Sequence, residues 1–319
     1  MEEVELDNLL YYIDEDNRTA TVYRMIDREY EGRVEIPQCI WEDGHMYEVR
    51  EIADFAFDGC EGLESIEIPD GVYRIGDSSF CGCSELKEID IPPSVREIGA
   101  RAFEDCGSLI SINVDRNNKF FSDIDGVLFN KAQDTLIDFP YARGGDYDVP
   151  DGVLFIGDNA FAGCEDLDHV YISESVVEIG DHAFSHNQSL RRVKMPDTMR
   201  CICDNAFDDC QELRSVETYR SDNSFDDDSI SREIGASAFR FCTSLERVDI
   251  PDGIEYVGDF AFFGCTDLKE ITLPATVNEI GECAFNNCSR LKTAVIPQIV
   301  EIDLLMFSGC SKLKNIKRI

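Results

Sequence analysis

The sequence predicts a β-solenoid, a chain wound into stacked coils, and three periodicities predict it. A phenylalanine recurs ten times, at Phe57, Phe80, Phe103, Phe161, Phe184, Phe207, Phe239, Phe262, Phe285 and Phe307, usually 23 residues apart. Six residues past each stands a leucine, from Leu63 to Leu313, and five residues before each an isoleucine or valine. One coil of this length cannot bury its own apolar face, so each coil must shield the next, and the three slots stack into a continuous core.

Each part of the coil follows from its residues. The segment Leu-x-x-Ile-x-Ile is a strand, whose alternation turns Ile66 and Ile68 inward and Ser65 and Glu67 outward. Its copies are expected to pair into a parallel sheet with strands ~4.8 Å apart. Proline after the strand (Pro69, Pro92, Pro196, Pro251, Pro274, Pro297) lacks an amide donor and marks where pairing stops. A glycine stands four residues before the phenylalanine in seven coils (Gly76, Gly99, Gly157, Gly180, Gly235, Gly258, Gly281), which implies either a positive φ or a backbone too close for a Cβ.

Nine of the fourteen cysteines share one slot, three residues past the phenylalanine, and Asn187 fills it in the remaining coil. A slot that takes Cys or Asn is one where a small polar side chain bonds turn backbone, so a buried ladder of thiols is expected. Stacked side chains point in parallel, whereas a disulfide needs converging Cβ vectors. Free thiols and a reducing or anaerobic setting follow. Cys81-Gly82-Cys83 and Cys201-Ile202-Cys203 are poor zinc signals, since no second nearby pair completes four ligands.

The module Ile-Gly-Asp-x-Ala-Phe-x-x-Cys-x-x-Leu-x-x-Ile-x-Ile-Pro resembles the BspA-like leucine-rich repeat, over residues 49–319. The stretch Asp123-Ile124-Asp125-Gly126-Val127-Leu128-Phe129-Asn130, with Thr135-Leu136-Ile137-Asp138-Phe139-Pro140, resembles the longer irregular coil often found mid-array in that family. The expected fold is a leucine-rich repeat solenoid, mainly β with short turns or 3-10 segments, in a single elongated right-handed coil array. The resemblance implies adhesion or protein–protein binding and carries over no residue-level site.

Residues 1–48 read as an N-terminal cap, with a hairpin around Asp16-Asn17 and a strand at Val34-Glu35-Ile36-Pro37 that imitates the repeat. Two insertions, 115–152 and 219–231, interrupt the period and are expected to protrude, as insertions in solenoids do. Asp226, Asp227 and Asp228 in the second lack the spacing that wraps oxygens around calcium and read as a solvated loop.

The balance of 65 acidic against 29 basic side chains gives a formal net charge of −36, which repels nucleic acid and anionic lipid. The start, MEEVELDN, has no export-signal character, and no apolar stretch approaches membrane-spanning length. The chain as given reads as cytoplasmic, or as surface-displayed or secreted if an export signal has been removed.

Chemistry is sparse. Of the four histidines, His182 and His186 stand four apart without a His-Glu-x-x-His pattern, and no phosphate loop, nucleophile elbow or dinucleotide fingerprint occurs. No catalytic residue, metal or cofactor is expected, and residues 115–152 are the one place where an enzyme site could be built. The outward strand positions instead show an aromatic and basic island in an acidic molecule: His169, Tyr171, Arg192 and Lys194, with Arg247 further on. These five are the candidate site for an acidic segment of a protein partner. The competing expectation is that Arg192 and Lys194 pair with acidic neighbours on the sheet. A self-associating structural subunit, joined through the C-terminal edge or the insertions, is the alternative function.

Overall fold

The computed structural model describes residues 2–25, 29–221 and 230–319. They divide into two compact units, Met1–Gln133 with Asp138–Arg143, and Asp134–Ile137 with Gly144–Ile319. Strands are joined by runs of turns, with no helical residue among those described. Residues 222–229, which include Asp226, Asp227 and Asp228, lie outside the described residues.

The first unit opens on antiparallel strands Glu2–Leu6, Leu9–Asp14 and Thr19–Tyr23. Asp7 and Asn8 turn the first pair with φ of 49° and 63°, the two left-handed residues that a tight hairpin needs. At the hairpin read from the sequence, Asp14 Oδ1 accepts the N–H groups of Asp16 and Asn17, both at 3.0 Å. Thr19–Val22 then lies parallel to Glu48–Ile52, and Val34 faces Ile66 across a parallel pair, so these first strands continue directly into the coil strands.

Residues 115–152 do not simply protrude. Phe121–Ile124 and Val127–Asn130 form a hairpin whose Val127, Leu128 and Phe129 are fully buried. Exposing that apolar run to water would be costly, which is why it folds inward. Thr135–Leu136 pairs with Phe155–Ile156, and Gly145–Asp148 with Leu167–Tyr171, so the segment also supplies both strands of a further coil of the second unit.

The core is a column of phenylalanine rings. Successive centroids are 5.1 and 5.9 Å apart in the first unit, from Phe57 to Phe103. In the second, from Phe161 to Phe307, they are 4.6–5.5 Å apart with planes within 11°. Coils are also tied at their corners, where the phenylalanine N–H donates to the next coil, as from Phe184 to Ala206 O at 2.7 Å.

The structure resolves the meaning of the recurrent glycine. A Cβ on Gly281 would lie 2.3 Å from Asp259 Oδ1 and 2.5 Å from Asp259 N, and Gly99 and Gly180 meet Asp77 and Asp158 in the same way. Close approach, not positive φ, demands it. The aspartate is there because its carboxylate accepts an N–H of the next coil: Asp77 N–H to Asp54 at 2.9 Å, Asp181 N–H to Asp158 at 2.9 Å, Glu282 N–H to Asp259 at 2.6 Å. The ladder thiols act similarly on the inside. Cys83, Cys106, Cys210, Cys242, Cys265, Cys288 and Cys310 each donate S–H to the phenylalanine carbonyl one coil earlier, at 2.9–3.2 Å. Asn187 replaces the thiol with Nδ2, donating to Phe161 O and Phe184 O at 2.9 Å.

Short two-residue strands make a second ladder, in which Glu178–Ile179 lies between Phe155–Ile156 and Cys201–Ile202. Burial, with Asp158, Asp181 and Glu233 nearby, pushes the Glu178 carboxyl above its ordinary value of 4.5.

Two stability predictions follow from these contacts. Gly281→Ala destabilises the fold by about 1–3 kcal/mol in chemical denaturation, and adding Asp259→Ala does not restore it, because the clash with the Asp259 backbone nitrogen at 2.5 Å remains. The raised carboxyl of Glu178 binds protons more tightly folded than unfolded, so its contribution is fully present below about pH 4.5 and is lost as pH rises through the folded value. Glu178→Gln is therefore more stable than wild type at neutral pH, and the difference closes on acidification when both are unfolded thermally across the acid range.

Candidate functional site

Strand register, more than any single residue, builds the site. In the second unit Gly145–Asp148, Leu167–Tyr171, Arg192–Pro196, Ser215–Tyr219 and Arg247–Val248 form a parallel sheet in that order. Asp146 faces His169, which faces Arg192, and Asp148 faces Tyr171, which faces Lys194. Alternation sends these six outward while Tyr147 packs against Phe161, centroids 5.7 Å apart. Two rows thus cross three strands, each running from carboxylate through a ring to a cation over about 10 Å.

The six side chains, with Val170, line a shallow cavity of about 320 Å³. His169, Tyr171, Arg192 and Lys194 are brought together. Arg247 is not: it stands two strands beyond Arg192, across Ser215, and Asp249 holds its guanidinium through contacts of 3.0 and 3.1 Å. Because residues i and i+2 of a strand share a face, an outward arginine two places before an aspartate pairs within its own strand.

Electrostatics distinguish the two cations. Arg192 Nε reaches Glu217 at only 3.9 Å, a loose exposed pair of the kind worth at most about 1 kcal/mol. Lys194 has no ion-pair partner among the described residues. On the acidic side His169 Nδ1 contacts Asp146 at 2.8 Å and Asp168 at 3.8 Å, while Arg191 holds Asp168 at 2.8 Å. Asp146, Asp168 and His169 place one potential metal-ligand atom each within 4.8 Å of one another. Mutual pairing and Arg191 account for that proximity, with all three at least partly exposed.

Tyr171 stacks on Tyr219 with centroids 5.0 Å apart and planes at 14°. Tyr219 Oη donates to Ile172 O at 2.7 Å, and burial, with the Tyr171 contact, pushes its phenol up, so it stays a donor. A ring held on one face by another ring is a rigid platform with its other surface free.

Asp146, Asp148 and Tyr219 were outside the sequence-derived site. A signal for the first two existed: Val149-Pro150-Asp151-Gly152-Val153 repeats the pattern Ile68-Pro69-Asp70-Gly71-Val72 that closes a strand, placing 146 and 148 at outward positions. Tyr219 carries no such signal, since its reach to Tyr171 spans 48 residues of chain.

Stacked coils of this period, with an outward parallel sheet bearing a cleft, define a leucine-rich repeat scaffold. The chain belongs to the BspA type leucine rich repeat region family, whose model matches residues 48–142, 145–233 and 232–318. A leucine-rich repeat protein from Eubacterium ventriosum shares the fold at a TM-score of 0.61 and 18% identity, covering 99% of this chain and 95% of its own. The pneumococcal vaccine antigen PcpA does so at 0.54 and 16%, covering 100% and 98%. No curated protein sequence matches the chain. No helix among the described residues is long and apolar enough to cross a membrane.

The tyrosine pair predicts that Tyr219→Phe lowers stability by about 0.5–1.5 kcal/mol, the value of one hydrogen bond. Tyr219→Ala costs more and releases Tyr171, which near-ultraviolet circular dichroism registers.

Proposed function

We propose that the protein is a non-catalytic binding scaffold that takes an extended segment of a protein partner across Gly145–Asp148, Leu167–Tyr171 and Arg192–Pro196. The observation that carries this reading is the register that aligns Asp146, His169 and Arg192 in one row and Asp148, Tyr171 and Lys194 in the next. Acidic residues of the partner sit over Arg192 and Lys194, the only outward cation pair on adjacent rows of this strand set, and an apolar or aromatic residue lies on Tyr171. Asp146 and Asp148 refine the partner's chemistry: a wholly acidic segment meets like charge there, so its far end is basic or neutral. Tyrosine and arginine at the centre are the residue types on which interface energy concentrates.

A second reading, self-association, is favoured by one observation. Ile299, Leu304, Leu305, Ile316 and Ile319 are all exposed apolar side chains around the strand Asn315–Arg318. Mass that rises with concentration in light scattering supports it.

The test of the first reading uses wild type beside Arg192→Glu with Lys194→Glu, and Asp146→Lys with Asp148→Lys, as baits in cell extract, each checked for folding by circular dichroism. The captured partner is then titrated against all three. Loss of at least about tenfold in affinity in the first double variant, with a different response in the second, is expected. Equal affinity for all three moves the site off this face.

A further inference from the structure

Two cysteines stand outside the thiol ladder and touch each other. Cys201 opens the short strand Cys201–Ile202, paired to Glu178–Ile179 on one side and Glu233–Ile234 on the other, and Cys203 follows it directly. Their sulfurs are 2.9 Å apart, closer than sulfurs rest without sharing a proton or a bond. In extended backbone residues i and i+2 turn to the same side, with Cα atoms roughly 6.5 Å apart, inside the ~6.8 Å that a disulfide spans. The sulfurs need approach by less than ~1 Å to bond.

The residue types are unusual for these slots. Cys203 occupies the position that is glycine in seven other coils because a Cβ there meets the preceding coil. Cys201 is fully buried where the neighbouring coils place Glu178 and Glu233, and Val177 and Ile230 pack against it while Ser231 Oγ donates to its sulfur at 3.4 Å. Cys203 is partly exposed and gives access. Ladder thiols differ in that their S–H groups donate to phenylalanine carbonyls of the coil before, as Cys83 does to Phe57 O at 3.2 Å and Cys106 to Phe80 O at 3.1 Å.

We propose that Cys201 and Cys203 form a dithiol modification site, converted by a small-molecule disulfide into a bond between them while the fold and the thiol ladder stay intact. Cys203 loses its proton to solvent and attacks one sulfur of the reagent, whose own S–S bond breaks. One thiolate leaves and takes up a proton. Cys201, deprotonated in turn, attacks the Cys203 sulfur and expels the second thiolate, which is also protonated. Two protein thiols are oxidised and one disulfide is reduced to two thiols. The contact with Cys201 and burial both push the Cys203 thiol up, so little thiolate is present near neutral pH and the first attack is slow there, gaining speed only as pH rises.

The test treats the full chain with hydroxyethyl disulfide at mildly alkaline pH, then unfolds it, blocks free thiols with N-ethylmaleimide and digests with trypsin. Cleavage after Arg200 and Arg214 yields one peptide holding Cys201, Cys203 and Cys210. The expected product carries maleimide on Cys210 alone and is lighter by about 2 Da than the same singly labelled peptide with both thiols free. Circular dichroism of the oxidised protein matches that of the reduced. Three labels on that peptide, a bond to Cys210, or loss of the native spectrum overturns the proposal. In Cys203→Ser, the buried Cys201 takes up reagent at least about tenfold more slowly than wild type; an unchanged rate overturns the assignment of Cys203 as the attacking thiol.

Discussion

Everything in this molecule depends on one coil resting on the next at strand spacing. Phenylalanine rings stack at 4.6–5.9 Å, close to the ~4.8 Å between hydrogen-bonded strands. Any residue that disturbs this distance disturbs both the ring column and the ladder. The glycine at Gly281 and the aspartate at Asp259 are therefore one device: the glycine gives up its Cβ so that the carboxylate can reach the next amide. The thiol of Cys265 ties coils on the inside, adding a second donor at 3.1 Å to the Phe239 carbonyl, which also accepts the Cys242 N–H at 3.3 Å. A small S–H fits because the slot is dry and narrow. Asn187 fits at a cost, since its Oδ1 is buried with no hydrogen-bond partner among the described residues.

A fixed spacing also turns the sheet into a ruled surface, on which outward residues of successive coils fall into rows whatever their identity. Function can then be written by choosing side chains at outward positions without disturbing the core. Most rows carry carboxylates, in keeping with a net charge of −36. The rows through His169 and Tyr171 change sign from one strand to the next. A reversal over about 10 Å produces a strong local field that the surrounding negative charge does not cancel, because screening in salt acts on the same length.

How much of this was legible depended on whether a residue's role was local or relational. Phe57, Leu63 and Cys60 could be placed from the sequence because each repeats one slot, and slots translate directly into core positions. The glycines were half legible: the sequence narrowed them to two causes, and only the distance from Gly281 to Asp259 decided between them. His169, Tyr171, Arg192 and Lys194 were readable as outward neighbours from period-two alternation alone. Asp146 and Asp148 were hidden by the broken period before them, although Pro150-Asp151-Gly152 marked the strand's end. Arg247 stands two coils beyond Arg192, as counting coils gives, but counting says nothing of pairing within a strand, and Asp249 two residues away holds its guanidinium.

Several departures from the repeat fall within one stretch, while Ala53 and Asp303 stand in the glycine slot elsewhere and Glu88 and Asp90 form another outward acidic pair. Within residues 146–219 are the acidic pair at 146 and 148, the ring pair at 169 and 171, the cations at 192 and 194, asparagine in the thiol slot at 187, and cysteine in the glycine slot at 203. Each works against the uniform stack. Asn187 leaves an acceptor unpaired, Cys203 puts a Cβ where seven coils have none, and Arg192 and Lys194 place like charges on one strand. A repeat array tolerates such costs anywhere, since coils contact only their neighbours and stability is close to a sum over them. The stretch 146–219 brings several of them into adjoining coils, on both the outward sheet and the short-strand ladder, where only the contacts between those coils have to absorb the cost.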